Sequence, residues 1–264
     1  MSKKVWFVGA GPGDPELITV KAQNLIKTAD AILYAGSLVP HALTQWSKPD
    51  CVIQDSKGMS LDEITDWLIQ QAEDGKVVIR LQTGDPSLYG ALIEMVQPLD
   101  KAGIEVEVIP GISSAMTAAA AAVESLTLPE VTQTVILTRV EGRTPMPEGE
   151  SLKELAAHHT TLCLFLSITL LHKVTKELIE IGYAEDSPVT VVQKASWGEQ
   201  EKIVKGTLST IKKQCQTEKI ASQAMIIISP TLGARDWDTL KKSKLYDASF
   251  THRFRKGITT ESSK

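Results

Sequence analysis

The chain has 264 residues, 28 basic and 32 acidic side chains, a net charge of −4 and 42% hydrophobic residues. That length and apolar content supply a sizeable core in two domains or one large one, and the acidic balance leaves no electrostatic footprint for nucleic acid. No apolar run approaches the roughly 20 residues of a membrane span, and MSKKVWFVGAG enters a strand directly rather than a signal sequence, so a cytoplasmic protein is expected.

Lys4 to Gly9, KVWFVG, predicts a first strand that runs into GAGPGDPELIT. Its glycines are spaced GxGxG and followed by Asp14 and Pro15, so the GxGxxG fingerprint of dinucleotide sites is not met. Pro15 and Glu16 suit a first helical turn, continued by Leu17, Val20, Ala22, Leu25 and Ile26 on one apolar side. Ala31 to Tyr34 is a second strand leading to AGSLVP, and residues 51–53 form a third. Ser60 with Glu63 three residues later reads as a capping box opening LDEITDWLIQQAED, which Gly75 ends. KVVIRL, from Lys76, is a buried strand that breaks at LQTGDPSLYG. There Gly84 can take backbone angles closed to other residues, Asp85 is an acceptor at the strand's carboxyl end, and Pro86 fixes the exit. Taken alone the stretch reads as a plain strand-to-helix turn before it reads as a ligand loop, although open α/β sheets hold ligands at that end. A helix around residues 91–101 and the strand IEVEVIP follow. The alternation predicts a mostly parallel sheet with helices on both faces.

PGISSAMTAAAAA then offers Ser113 or Ser114 as the cap of an alanine-rich helix, whose free N–H groups suit either a structural start or an anionic ligand. Beyond Leu126 a second set of elements begins. VTQTVILTR is a strand, EGRTPMPEGE a loop, SLKELAAH a helix, TLCLFLS a buried strand and LLHKVTKELIEIG an amphipathic helix; PVTVVQKA and EKIVKGTL are strands, and AMIIIS closes the sheet. Cys51, Cys163 and Cys215 have no paired spacing and read as structural, and the five histidines offer no protein-held metal site.

Taken together, VGAGPGDPELIT, LYAGSLVP, LQTGDPSLYG, VIPGISS, LTLPEVTQTVILTRVEGRTPMPE, LFLS and QKASW resemble the tetrapyrrole methylase family over nearly the whole chain. Those enzymes move methyl groups from S-adenosylmethionine (SAM) to cobalamin and sirohaem precursors, releasing S-adenosylhomocysteine (SAH). TQTVILTRVEGRTP, YAGSLVP and SKLYDASFTHRFRKG resemble its branch acting at C-11 of precorrin-4 or its cobalt complex, and FTHRFRKG is closer to the cobalt-first enzymes. The resemblance implies an α/β chain of two αβα domains, each with about five strands, in a homodimer whose partner is a small corrinoid. The expected divisions are 1–115, 116–245 and a basic tail, 246–264, partly disordered at its end.

Carried over by motif position, the implied SAM contacts are Pro12 in GPGD, Gly84 and Asp85 in TGDP, nearby Tyr89, Ser113 and Ser114 in PGISS, Leu166 in LFLS, Ala195 in QKAS, and Ala224 with Met225 in the last strand. Some relatives carry Thr-Ala at 113–114 and Met at 166. No catalytic base is assigned, because the carbon methylated becomes quaternary and has no proton to lose; Asp14 and Asp85 are the carboxylates nearest the implied cleft, Asp14 serving equally well as a turn cap. Arg80, Arg139, Arg143 and Lys194 are candidates for the corrinoid's carboxylates, each set against a solvated or intramolecular ion-pair role, and HRFRK is a small basic patch open to substrate, the dimer partner or solvent. Competing readings are a methylase of the same family acting at another corrin position, on uroporphyrinogen III or on the diphthamide precursor, a non-catalytic SAM- or corrinoid-binding module, and a nicotinamide oxidoreductase.

Overall fold

The computed structural model describes residues 3–240 and 242–258. Its first half is a five-stranded sheet in the order β3-β2-β4-β1-β5, built from β1 (Lys4–Gly9), β2 (Ala31–Tyr34), β3 (Val52–Asp55), β4 (Val78–Gln82) and β5 (Glu105–Ile109). Every pairing in it is parallel. The central strands are mostly apolar because both faces are covered, with Arg80 and Gln82 of β4 the buried polar exceptions in that strand. Val5 and Phe7 of β1 pack with Leu33, Leu68, Met95 and Leu99, while Val8 and Ala10 pack with Ile26, Ile32, Ile79 and Leu81. Fully buried side chains such as Phe7 and Leu68 each contribute roughly 1.5–3 kcal/mol.

The covering helices are α1 (Val20–Thr28), α2 (Leu61–Glu73) and α3 (Leu92–Lys101). The Ser60–Glu63 capping box is present, with both reciprocal hydrogen bonds. The first helix differs from the expectation. Pro15–Leu17 is a separate 3-10 turn, and α1 starts afresh at Val20 with Thr19 as its cap. Asp14 caps the short turn and Thr19 the next, so the backbone is extended at Ile18 and the apolar stripe is broken. Val20 is left on the surface, 75% exposed.

The alanine-rich α4 (Ser114–Ala122), with Ser113 as its cap, leaves the first sheet and packs on the second. Ala115, Ala118, Ala119 and Ala122 lie against Cys163, Val192, Met225 and Ile227, where the small side chains allow close approach. The second sheet contains β6 (Val135–Arg139), β7 (Thr161–Phe165), β8 (Pro188–Gln193), β9 (Lys202–Thr207) and β10 (Ala224–Ile228) in the order β6-β7-β10-β8-β9. Only β6 and β7 run parallel; the other pairs are antiparallel. The last strand therefore sits in the middle, where its residues Met225 to Ile228 are all buried. Helices α5 (Leu152–Ala156), α6 (Leu171–Glu180) and α7 (Ile211–Thr217) complete this half.

Burial pushes the Cys163 thiol up to about 12 and Cys215 to about 11, so neither offers a thiolate at neutral pH. Among the described residues no helix is long and apolar enough to cross a membrane. Beyond Ser243 the tail forms a 3-10 turn at Lys244–Tyr246 and a His252–Arg255 bridge. The expectation for the final residues of the tail, 259–264, lies outside the described residues.

Candidate active site

The two loops that leave β1 and β4 at their carboxyl ends are joined directly. Gly11 N–H donates to the Gly84 carbonyl at 3.2 Å and Gly84 N–H returns a bond to Gly11 at 2.8 Å. Both glycines have positive φ, 70° and 59°, a conformation that a side chain resists. Asp85 ties this pair to the loop before α4. Its carboxylate accepts from the Ser87 hydroxyl and N–H at 2.5 and 2.9 Å and from Gly111 N–H at 3.0 Å. Burial pushes the Asp85 carboxyl up, but those three donors together outweigh it and hold the group below the ordinary aspartate value. Asp85 is thus ionised at neutral pH and acts as a tie between loops.

The second half faces this knot across a cavity of about 340 Å³, within the size range of small-molecule sites. Pro12, Gly84, Asp85, Tyr89, Ser113, Ser114, Leu166, Ala195, Ala224 and Met225 all line it. Segments far apart in sequence, from GPGD to the start of β10, are brought to one place. Hydrogen bonds tie the two halves together, among them Trp197 Nε1 to the Pro12 carbonyl at 2.8 Å, Asp14 N–H to Ser196 Oγ at 3.2 Å, and Gln223 Nε2 to the Ser37 carbonyl at 2.8 Å. The Tyr89 and Phe165 rings meet with centroids 5.2 Å apart.

Backbone strain gathers here. Tyr89, Leu166, Lys194 and Gln223 all line the cavity and all have left-handed backbones, with φ of 55°, 52°, 49° and 50°. Such conformations cost energy in non-glycine residues and concentrate where a ligand is gripped.

Among the predicted carboxylate-binding residues, Lys194 lines the cavity; Arg80, Arg139 and Arg143 do not. Arg80 is buried in β4, where its guanidinium donates to Ser56 Oγ at 2.9 Å and its Nε has no partner. Burial lowers its pKa to about 10 against the opposing pull of Asp55, which leaves it charged at neutral pH. Arg139 donates to the Thr144 and Pro145 carbonyls, bracing the loop after β6, and Arg143 is on the surface. Asp14 is outside the lining; its carboxylate accepts from Glu16 N–H at 2.9 Å as a turn cap. Trp197, Phe165, Gln223 and Leu38 line the cavity without having been singled out from sequence. For Trp197 the signal was present, as the aromatic residue ending QKASW.

Residues 4–212 match the family model described as Tetrapyrrole (Corrin/Porphyrin) Methylases. The chain is 51% identical to the cobalt-precorrin-4 C(11)-methyltransferase of Methanocaldococcus jannaschii over 97% of each chain. Its fold superimposes on the X-ray structure of a cobalt-precorrin-4 methyltransferase with a TM-score of 0.83 at 48% identity, covering 86% of this chain and 95% of the other. The uroporphyrin-III C-methyltransferase of Thermus thermophilus, solved with S-adenosylhomocysteine, superimposes with a TM-score of 0.72 at 28% identity over 89% of this chain and all of the other. A match over most of the length, with the same two-sheet fold, has one meaning: the chain belongs to the tetrapyrrole (corrin/porphyrin) methylase family.

Proposed function

We propose that this chain transfers the methyl group of SAM to C-11 of cobalt-precorrin-4, releasing SAH. The observation that carries the reading is the convergence of Pro12, Gly84, Asp85, Tyr89, Ser113, Ser114, Leu166, Ala195, Ala224 and Met225 on one cavity. The residues fit a folded nucleoside cofactor. Behind the Gly84 wall of the cavity Gly9 and Gly111 pack backbone against backbone, so closely that a Cβ added at Gly111 would lie 2.1 Å from the Gly84 carbonyl oxygen, and this holds the loops that line the site together. Bound there, SAM supplies a methyl group on a sulfonium whose departure leaves a neutral thioether.

The protein's task is then alignment rather than acid–base chemistry. Holding reacting atoms about 3–3.5 Å apart can account for roughly 7–11 kcal/mol of barrier. Asp85 is occupied by Ser87 and Gly111, and Asp14 by Glu16; neither is placed to take a proton, and formation of a quaternary carbon requires none. Lys194 supplies a cationic donor for one of the acceptor's carboxylates at the cavity wall. Arg80 and Arg139 are assigned to the scaffold beneath it. We divide the chain near residue 115, where α4 leaves the first sheet for the second.

The test is an anaerobic incubation with methyl-labelled SAM and either cobalt-precorrin-4 or metal-free precorrin-4, with the methylated position read by carbon NMR. Label at C-11 of the cobalt complex is the predicted result. Label only on the metal-free ring moves the chain to the aerobic substrate, and label at another carbon rejects the C-11 assignment.

The same reading includes a homodimer. Among the described residues β5 pairs only with β1 and so forms an edge of the sheet, and around it Val20, Val108, Ile112 and Met116 are 75%, 40%, 38% and 49% exposed. Lys21 of α1 bonds Glu107 of β5, which brings Val20 to the same edge. An apolar edge of this kind calls for cover. Sedimentation at micromolar concentration is expected to give twice the chain mass; a single-chain mass sinks the dimer.

A further inference from the structure

The loop after β8 contains a tryptophan that belongs to neither the cofactor set nor the acceptor set. Trp197 is held from several sides. Its Nε1 donates to the carbonyl of Pro12, 185 residues away, at 2.8 Å. The Lys194 ammonium lies 5.1 Å from the ring centroid and donates to Gln200 Oε1 at 2.6 Å. The preceding residue, Ser196, accepts from Asp14 N–H through its hydroxyl at 3.2 Å and donates its own N–H to Glu201 at 2.6 Å. Gly13 stands at the edge of the indole, where a Cβ would fall 2.1 Å from Nε1. The residue between Pro12 and Asp14 must therefore be bare for the indole to reach the carbonyl. Both Pro12 and Trp197 line the cavity.

We infer that Trp197 is a positioning residue for the methyl donor: its indole N–H fixes the Pro12 wall of the cavity against the second half of the chain. The inference rests on the reading of this cavity as the SAM site. The GPGD loop pairs with Gly84 at its Gly11 end, and at its Asp14 end the carbonyl and carboxylate accept from Leu17 and Glu16 of the following turn. Past Pro12, which has no N–H of its own, Trp197 and Ser196 tie the loop to the second half of the chain. Loss of the indole bond lets that wall relax in the free protein, and ligand binding must then restore it. The effect falls on binding, since donor and transition state need the same wall.

The experiment compares wild type with Trp197→Phe by calorimetric titration with SAH, together with melting temperature and steady-state kinetics for SAM. The variant is expected to bind SAH about 5- to 30-fold more weakly, the range for loss of one hydrogen bond with its acceptor left unpaired. KM for SAM should rise in step, with kcat within about twofold and a melting temperature close to wild type. Replacing Trp197 by its benzothiophene analogue, which swaps the N–H for sulfur at nearly the same shape, should reproduce the weakening. Tryptophan emission that responds to SAH in wild type should lose that response in Trp197→Phe. Wild-type affinity in both variants overturns the inference, as does a fall in kcat with KM unchanged. Failure of the wild type itself to bind SAH overturns the SAM reading and this inference with it, whereas unchanged binding in the variants overturns the inference alone.

Discussion

Replacing Gly111 by alanine is expected to weaken SAH binding on the order of 100-fold and to lower stability by about 1–3 kcal/mol, the usual cost of forced overpacking. Gly111 has no positive φ; its requirement comes from crowding. A Cβ there would lie 2.1 Å from the Gly84 carbonyl oxygen and 2.8 Å from Gly9 Cα, and one at Gly9 would lie 2.5 Å from Gly111 N. All of these are backbone atoms, so no side chain can rotate away and the loops after β1, β4 and β5 must separate by about 1 Å to regain normal contact. A displacement of that size in a positioning loop costs on the order of 100-fold. Calorimetry with SAH on a folded Gly111→Ala protein checks this, and near-wild-type affinity would show that this packing does not position the cavity wall.

Asp85→Ala should weaken SAH binding by roughly 10- to 100-fold, because it releases the same knot by a different route. The substitution leaves Gly111 N–H and Ser87 N–H without their acceptor. A stability loss of about 1–2 kcal/mol follows, smaller than for a sealed site because water reaches the group. Asp85→Asn keeps the shape and should recover part of both effects. The folded carboxyl is held below its ordinary value, so its contribution is fully present above about pH 4, the unfolded value. It is lost as pH falls through the lowered folded value. Denaturation of wild type and Asp85→Asn should therefore show a gap at pH 7 that closes in strong acid; a gap that widens toward low pH would reverse the assignment.

The parts of the fold that could be read from sequence are those fixed by local pattern. KVWFVG and VIRLQ carry apolar side chains on both faces and form the middle of a parallel sheet, with Arg80 the charged exception in the second. Ser60 and Glu63 announce α2, and Gly75 and Gly182 take the positive φ that follows helix ends. Strand order is a property of the whole chain, so nothing within AMIIIS distinguishes a closing strand from the central one it forms. Thr19 was the missed signal in the first helix, a cap immediately before Val20. At the site, the motifs named the segments that meet, while their spatial partners were not legible. The positive φ of Tyr89, Leu166 and Lys194 is imposed by tertiary packing on residues that do not favour it. Arg80 misleads for a related reason: a charge in a strand reads as a binding group or an exposed position, and here it is buried against Ser56.

The most direct measurement is a crystal structure of this chain grown with SAH. The account predicts density for the whole molecule in the cavity between the two sheets, in contact with the TGDP loop at Gly84 and Asp85, with Ser113 and Ser114, and with Leu166 and Ala195 from the other half. Density outside that cavity, or an empty cavity at saturating SAH, would contradict it.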